Sequence, residues 1–434
     1  MQFRSALVAF GLLLTAALPT HALSEAARKL VEFETQSNAV SKRSKDAILI
    51  EHFEIPLDRV EMLWSVFSDR EAAQSLTFNK NGKPHVRWLI NPEDTKWHLE
   101  VAKHLAAQGL DTTRYQYYRA YQSASRSYLI EDPVTGHEFF AKVSTDKTGG
   151  NWRDKRQEWK DAADVHNSAV HVQQAIARYR PRHFKYLDES LVFGLKEIDQ
   201  GMVVRSLEGL GKSGHYYLPG FSALHDRTGR MIALKNGAVS PAKFWETHYV
   251  RPLARALAEF FVMTGLAYDS PHSQNFLVEL DPELRPTGKI ILRDTGDVYV
   301  TKPYTEAMGS KFAEIFPKEQ SKSNIPASVG LLHGNTKPRW VSENTYNKWG
   351  SSFFDEYQKT LARLTGIPQA TLIKHSALYG TVIDANLNVG RSGDYIGQNL
   401  NIRSEKWSAF LHRLTQDQGF RRPVILLCRE LMMY

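Results

Sequence analysis

The stretch from His272 to Asp294, HSQNFLVELDPELRPTGKIILRD, decides how the chain is read. Residues 275–280 and 289–292 are strand-like, built mainly of large and β-branched apolar side chains, and the segment between them carries Asp281, Pro282, Pro286 and Gly288. Apolar runs bounded by turn-forming residues make a β-hairpin. Its outer ends, His272-Ser273-Gln274-Asn275 on one side and Arg293-Asp294 on the other, are neighbours in an antiparallel pair although they are distant in sequence. One spot therefore receives an amide oxygen from Asn275, a carboxylate from Asp294 and an imidazole. Such oxygen donors suit Mg2+, which takes one or two protein oxygens and completes its shell with phosphate oxygens and water. Protein kinases place a comparable Asn and Asp around their metal ions. Taken alone, the same residues also read as the polar caps of a surface hairpin.

A second hairpin upstream tips that balance. Residues 126–130 and 138–144 are strand-like, joined by the turn residues Asp132, Pro133 and Gly136. Lys142 sits between Ala141 and Val143, and alternation puts it on the face of Phe140 and Ser144. A lysine in so apolar a strand needs a partner for its charge. Thr148-Gly149-Gly150 follows, and a polar helix is expected over 151–179 with Asn151 as its N-cap, so backbone N–H groups face any anion placed there. Arg153, in the first turn, adds a bidentate phosphate contact. In this order the features describe an ATP site.

The rest of the chain sets the frame. Arg4, the apolar run Ala6–Leu18 and the small residues around Thr20-His21-Ala22 have the layout of a cleavable secretory signal peptide, too short to span a bilayer. Export to the periplasm or the medium is therefore expected. Residues 24–110 carry apolar side chains at mixed helical spacing and read as helical, without evident chemistry. Further strands are expected at 190–196 and 201–206. A helix should start at Ser240-Pro241, be kinked by Pro252 and stop at Gly265, and helices should return from Asn344. The expected division is a signal peptide at 1–22, a helical region at 23–124, an ATP-binding lobe at 125–240 and a second lobe with C-terminal helices at 241–434. A net charge of +8 with interspersed signs does not point to nucleic acid, and no later segment is apolar enough for stable membrane insertion. Cys428 is the only cysteine, which excludes an intramolecular disulfide or a thiolate zinc site.

The segment from Phe244 to Val300 resembles the C-terminal part of the siderophore synthetases that work without a nonribosomal peptide template, the aerobactin-synthetase-like family. Gly265, His272-Ser273-Gln274-Asn275, Arg293-Asp294 and Gly296 stand in the family's order. Upstream, Lys142 with the stretch Thr148 to Arg153 is similar to the family's lysine strand and Arg-ending segment, and Leu218–Leu224 to its Pro-Ala-Leu segment. Ser270 stands where the family usually has Glu, with Asp269 the nearest carboxylate, and its His-Pro-rich segment has no equivalent. The resemblance implies an α+β fold of mixed sheets with a palm-like, distantly kinase-like ATP cleft. It also implies ATP and Mg2+ as cofactors, and adenylation of a carboxylate before an amine attacks. Lys142, Arg153, His272 and Gln274 would contact ATP, the first three taking part in the chemistry, with Thr148 and Arg293 also in the nucleotide site. Asn275 and Asp294 would hold the metal. A carboxylate or another small-molecule acceptor would be the second substrate, and a host or target-cell component a further partner of an exported enzyme. Two alternatives stay open: a kinase-like phosphotransferase in which Lys142 pairs with Glu158, and a non-catalytic binding module on the same fold.

Overall fold

The computed structural model describes residues 23–37, 47–124, 126–147, 154–207, 210, 214–268, 273–300, 305, 310–316, 338–366 and 369. The apolar run at the N-terminus lies outside them, as do Thr148, Arg153, His272 and the C-terminal residues from 370.

After helix α1 (Glu25–Ser37) the chain enters strands: β1 (Ile48–Pro56), β2 (Glu61–Leu63), β3 (Thr77–Lys80), β4 (Lys83–Leu89), β5 (Tyr115–Gln122), β6 (Ser127–Glu131) and β7 (Glu138–Lys142). Between them lie α2 (Arg70–Leu76) and α3 (Trp97–Ala107). The helical expectation for residues 23–124 is therefore corrected: among the described residues of that region three α-helices are present, and most of the remaining elements are strand. The reason lies in the period. Along β5 burial alternates, with Tyr118, Ala120 and Gln122 inside, and such a repeat of two is the pleat of a half-buried strand.

α4 (Trp159–Tyr179), β8 (Phe184–Tyr186), β9 (Leu191–Leu195) and β10 (Gln200–Ser206) follow. The first seven strands join β9 and β10 in one nine-stranded sheet of order β2-β9-β10-β7-β6-β5-β1-β4-β3, antiparallel at each junction. One face, with Ile50, Tyr118, Phe139 and Val204, packs on Leu76 of α2 and on Val101 and Leu105 of α3. On the other face Val192 and Val203 meet Ala162 and Val165 of α4. α4 begins at Trp159, with Glu158 at its N-cap, later than the expected Asn151. Its close seat depends on two glycines: a Cβ at Gly194 would stand 1.9 Å from the Trp159 ring, and one at Gly201 2.8 Å from the Glu158 carbonyl.

The remaining elements form a second layer. β11 (Tyr216–Pro219), β13 (Phe276–Leu280), β14 (Pro286–Leu292) and β8 make a four-stranded sheet in the order β11-β13-β14-β8, while β12 (Leu266–Tyr268) pairs with β15 (Val298–Val300). Helix 251–264, buried along nearly its whole length, runs beside it and ends at Gly265 with φ 71, a left-handed stop. Ser240 caps the preceding segment, its Oγ accepting from the Lys243 N–H at 3.3 Å. One π-helical turn, Glu246–Val250, absorbs the irregularity ahead of Pro252, which cannot donate to the ladder. Helix 343–365 packs along helix 251–264. The architecture is α+β with largely antiparallel sheets, and no helix among the described residues is long and apolar enough to cross a membrane.

Candidate functional site

Both hairpins form as read, β6–β7 and β13–β14. Phe276 pairs with Leu292 in the second, and the Arg293 N–H donates to the Asn275 carbonyl at 3.1 Å, so the two polar ends meet. In the first, Phe139 and Ala141 point into the core of the nine-stranded sheet, while Phe140 and Lys142 take the opposite face. Lys142 reaches across to the second hairpin. Its Nζ donates to Asp294 Oδ1 at 3.1 Å, and each side chain keeps 14% of its surface exposed.

This ion pair forms part of the wall of a cavity of about 90 Å3, lined by Ser123, Ala124, Arg126, Ser127, Lys142, Lys155, Arg205, Gln274, Asn275, Arg293 and Asp294. Among the described residues of its lining, five cationic side chains stand against a single carboxylate. Burial pushes the Asp294 carboxyl up, but Lys142, Arg205 and Arg126 outweigh that and hold it well below the usual carboxylate range. Asp294 is therefore ionised at any physiological pH. Its backbone is left-handed, φ 63 and ψ 64, a conformation Asp tolerates better than most residues but still at a cost of about 1 kcal/mol.

Two buried acids stand behind the cavity wall. Glu189, fully buried, accepts from Arg205 Nε at 3.0 Å and Nη2 at 2.8 Å, and its other oxygen accepts the Asp294 N–H at 2.8 Å. Glu34 of α1 accepts from Arg293 Nη2 at 3.2 Å, and Arg293 Nε donates to the Gln274 carbonyl at 2.8 Å. Burial pushes Glu34 up, and Arg293 works against that shift. Nη1 of Arg293 is buried without a hydrogen-bond partner among the described residues. Behind Asp294, Thr295 accepts from Ser168 of α4, and a Cβ at Gly296 would come within 2.8 Å of Val165. The turn is thus pressed onto α4.

Of the residues singled out in the sequence, Lys142, Gln274, Asn275, Arg293 and Asp294 come together around this cavity. Thr148, Arg153 and His272 lie outside the described residues. Glu158 is at the N-cap of α4, and the acid paired with Lys142 is Asp294 instead. Five charged residues of the site and its surround escape a reading of the sequence: Glu34, Arg126, Lys155, Glu189 and Arg205. Arg205 is within reach of it, because a cation in the apolar strand Met202-Val203-Val204-Arg205 invites the same reasoning as Lys142. Glu34 carries no such signal, being one acid among several on an amphipathic helix.

No protein-family profile matches the chain, and no curated protein does. Solved structures do. Aerobactin synthetase IucC from a hypervirulent pathotype of Klebsiella pneumoniae matches with a TM-score of 0.51 and 11% identity, over 84% of this chain and 70% of that one. The petrobactin biosynthesis protein AsbB from Bacillus anthracis str. Sterne gives 0.48 and 12%, over 77% and 63%. Aerobactin synthetase IucA from the same Klebsiella pathotype gives 0.44 and 14%, over 76% and 61%, so the chain spans about three fifths of that protein's length. The likeness to IucC is one of fold. The chain therefore has an α+β fold shared with a siderophore synthetase. The resemblance drawn from the motifs of the two hairpins is met at that level, in a strongly diverged and shorter sequence.

Proposed function

We propose that this chain is an ATP- and Mg2+-dependent, ligase-like enzyme of the siderophore-synthetase kind, exported with removal of residues 1–22. The observation that carries the reading is the cavity at the meeting of the two hairpins, where five cations face one ionised carboxylate and a buried amide side chain. A cation-rich wall favours phosphate, and hard oxygen donors beside it favour a divalent metal. Asn275 and Asp294 would hold Mg2+, which when bound neutralises phosphate charge and fixes the triphosphate. Lys142 is paired with one of these ligands, Asp294. With a nucleotide present its ammonium would turn from Asp294 to a phosphate oxygen, stabilising charge that develops there.

In the proposed reaction an acceptor carboxylate oxygen bonds to the α-phosphorus and the bond to the bridging oxygen breaks. Pyrophosphate then leaves, and an attacking amine displaces AMP from the acyl adenylate. The family resemblance of Lys142, the His272-to-Asn275 motif and Arg293-Asp294 supports attack at the α-phosphorus. The test is chromatography of nucleotides after incubating the protein with ATP, Mg2+, a panel of polycarboxylates and hydroxylamine. AMP formed only with an acceptor is the expected result. Acceptor-dependent ADP would transfer the assignment to a phosphotransferase, and tight ATP binding without turnover to a binding module.

A further inference from the structure

Three chain segments converge behind Asp294, and the way they converge gives one buried residue a role. β8 runs parallel to β14, with Phe184 beside Ile290 and Tyr186 beside Leu292, and the Leu187 N–H extends the pairing to the Leu292 carbonyl at 3.0 Å. A short step beyond the end of each strand stand Glu189 and Asp294. The parallel register therefore brings Glu189 alongside the turn that carries Asp294. From the other side the Ser206 N–H donates to the Asp188 carbonyl at 2.8 Å, which ties the end of β10, and Arg205 with it, to the same segment.

Glu189 divides its carboxylate between these two neighbours. Oε1 takes the Arg205 guanidinium, and Oε2 takes the Asp294 N–H. That N–H lies in the peptide plane leading into a residue at positive φ, and on the far side of Asp294 the carbonyl and hydroxyl of Thr295 accept from Ser168 Oγ at 3.0 and 2.9 Å. With the plane ahead of it fixed by Glu189 and the residue after it fixed by Ser168, Asp294 cannot swing to the right-handed region without breaking one of these contacts, and the swing would redirect its carboxylate away from the cavity. An ion pair with Arg205 alone would need no second acceptor aimed at residue 294.

We propose that Glu189 is a positioning residue for the metal-binding carboxylate: it fixes Asp294 in the left-handed conformation that aims the side chain at the cavity, while Arg205 fixes Glu189. The inference rests on the nucleotide and metal reading of that cavity. Because Glu189→Ala alone leaves Arg205 buried and unpaired, the test uses two double variants, Glu189→Ala/Arg205→Met and Glu189→Gln/Arg205→Met. Both remove the ion pair. Only the second retains an oxygen able to accept the Asp294 N–H.

ATP affinity is measured by calorimetry for each with Mg2+ and with a chelator. The ratio of the two affinities isolates the metal's contribution from whatever phosphate binding Arg205 itself supplies. The ratio is expected to fall at least tenfold in the alanine variant and to stay within threefold of wild type in the glutamine variant. Hydrogen exchange of the peptide containing Asp294, measured without ligand, should quicken in the alanine variant only. Equal ratios and equal exchange in the two variants overturn the proposal. A wild-type chain that binds no ATP under either condition sinks the nucleotide reading instead, and the exchange comparison then still decides whether Glu189 holds Asp294.

Discussion

Arg293 and Asp294 are adjacent in sequence, yet each belongs to a different kind of ion pair. Arg293 and Glu34 retain 8% and 2% of their side-chain surface, and the arginine is further fixed by the Gln274 carbonyl. Asp294 and Lys142 retain 14% each and line the cavity. Both residues contribute to the cavity wall, but their charged groups turn to different partners, Glu34 for the arginine and Lys142 for the aspartate. The first pair is an anchor, joining the N-terminal helix to the hairpin. The second can be exchanged: both partners can take up a new ligand without leaving a buried charge behind. A two-residue motif thus divides into a structural half and a working half, and the division can be tested by removing each in turn.

The largest effect is expected from Arg293→Ala. It strands Glu34 in a buried site, and breaking a buried pair from one side costs about 3–5 kcal/mol. Urea unfolding at pH 7 reads this directly. The pH dependence has a definite sign. Glu34 is already pushed up by burial, and loss of Arg293 removes the main influence holding it down. A carboxyl whose folded pKa is raised contributes stability at low pH that is lost as pH rises through that value. The gap between wild type and Arg293→Ala should therefore narrow as pH falls from 7 toward 5. A gap that is small at pH 7, or widens toward acid, would contradict the anchor.

Asp294→Asn should do the reverse. Asn adopts the left-handed backbone as readily as Asp, so the turn survives; what is lost is the attraction to Lys142, Arg205 and Arg126 that holds the carboxyl low, and the fall in unfolding free energy at pH 7 should be smaller than that of Arg293→Ala. Mg2+-dependent ATP binding should fall by about 3 kcal/mol, because the metal loses its one anionic protein ligand in the cavity. Calorimetry and urea unfolding on the same preparation separate the two outcomes. If this variant were as unstable as Arg293→Ala, the contrast between the pairs would collapse.

Next in size is Lys142→Ala. Loss of a charge-assisted hydrogen bond to phosphate should weaken ATP by roughly 1.5–3 kcal/mol. The same change leaves Asp294 without its ammonium partner, so Mn2+ alone, followed by its paramagnetic resonance signal, should bind the variant more tightly than wild type. In the unmodified chain the lysine competes with metal for one oxygen, and a phosphate that draws Lys142 away makes room. Metal and nucleotide should consequently bind with positive coupling. Mn2+ binding that is unchanged by Lys142→Ala would mean that the metal does not use Asp294.

What can be read in the sequence follows from how local its cause is. The two site hairpins, β9 and β10, and the helix from Ser240 to Gly265 are encoded by neighbours: an apolar run, a turn-forming pair, a capping serine, a stopping glycine. β1 to β5 read as helix because their apolar residues, seen without their partners, fit a helical spacing as well as a pleat. The strand order that places β2 beside β9 and β5 beside β1 is a matter of distant pairing. Within the site, Lys142, Asn275 and Asp294 are legible because a polar group in or beside an apolar strand asks for a reason. Glu34 and Glu189 sit on a helix and in a connection where an acid is ordinary, and only the folded chain shows what each one holds.

The smallest expected effect separates the ligase reading from the kinase-like one. A kinase-like site uses an acid on the helix after the lysine strand to steady the lysine, and here that acid would be Glu158. In the structure Glu158 occupies the N-cap of α4 with no side-chain cap hydrogen bond, and the lysine's acid partner comes from the second hairpin. Removing the carboxylate therefore subtracts a favourable charge at the start of a helix, worth a few tenths of a kcal/mol to stability, and nothing from the site. Glu158→Ala should leave ATP affinity within about twofold of wild type, since a twofold change is about 0.4 kcal/mol and lies inside that margin. A tenfold loss by calorimetry, with unfolding unchanged, would mean that Lys142 turns to Glu158 once nucleotide is bound. The kinase-like arrangement would then be the working one, and the ion pair with Asp294 its resting state.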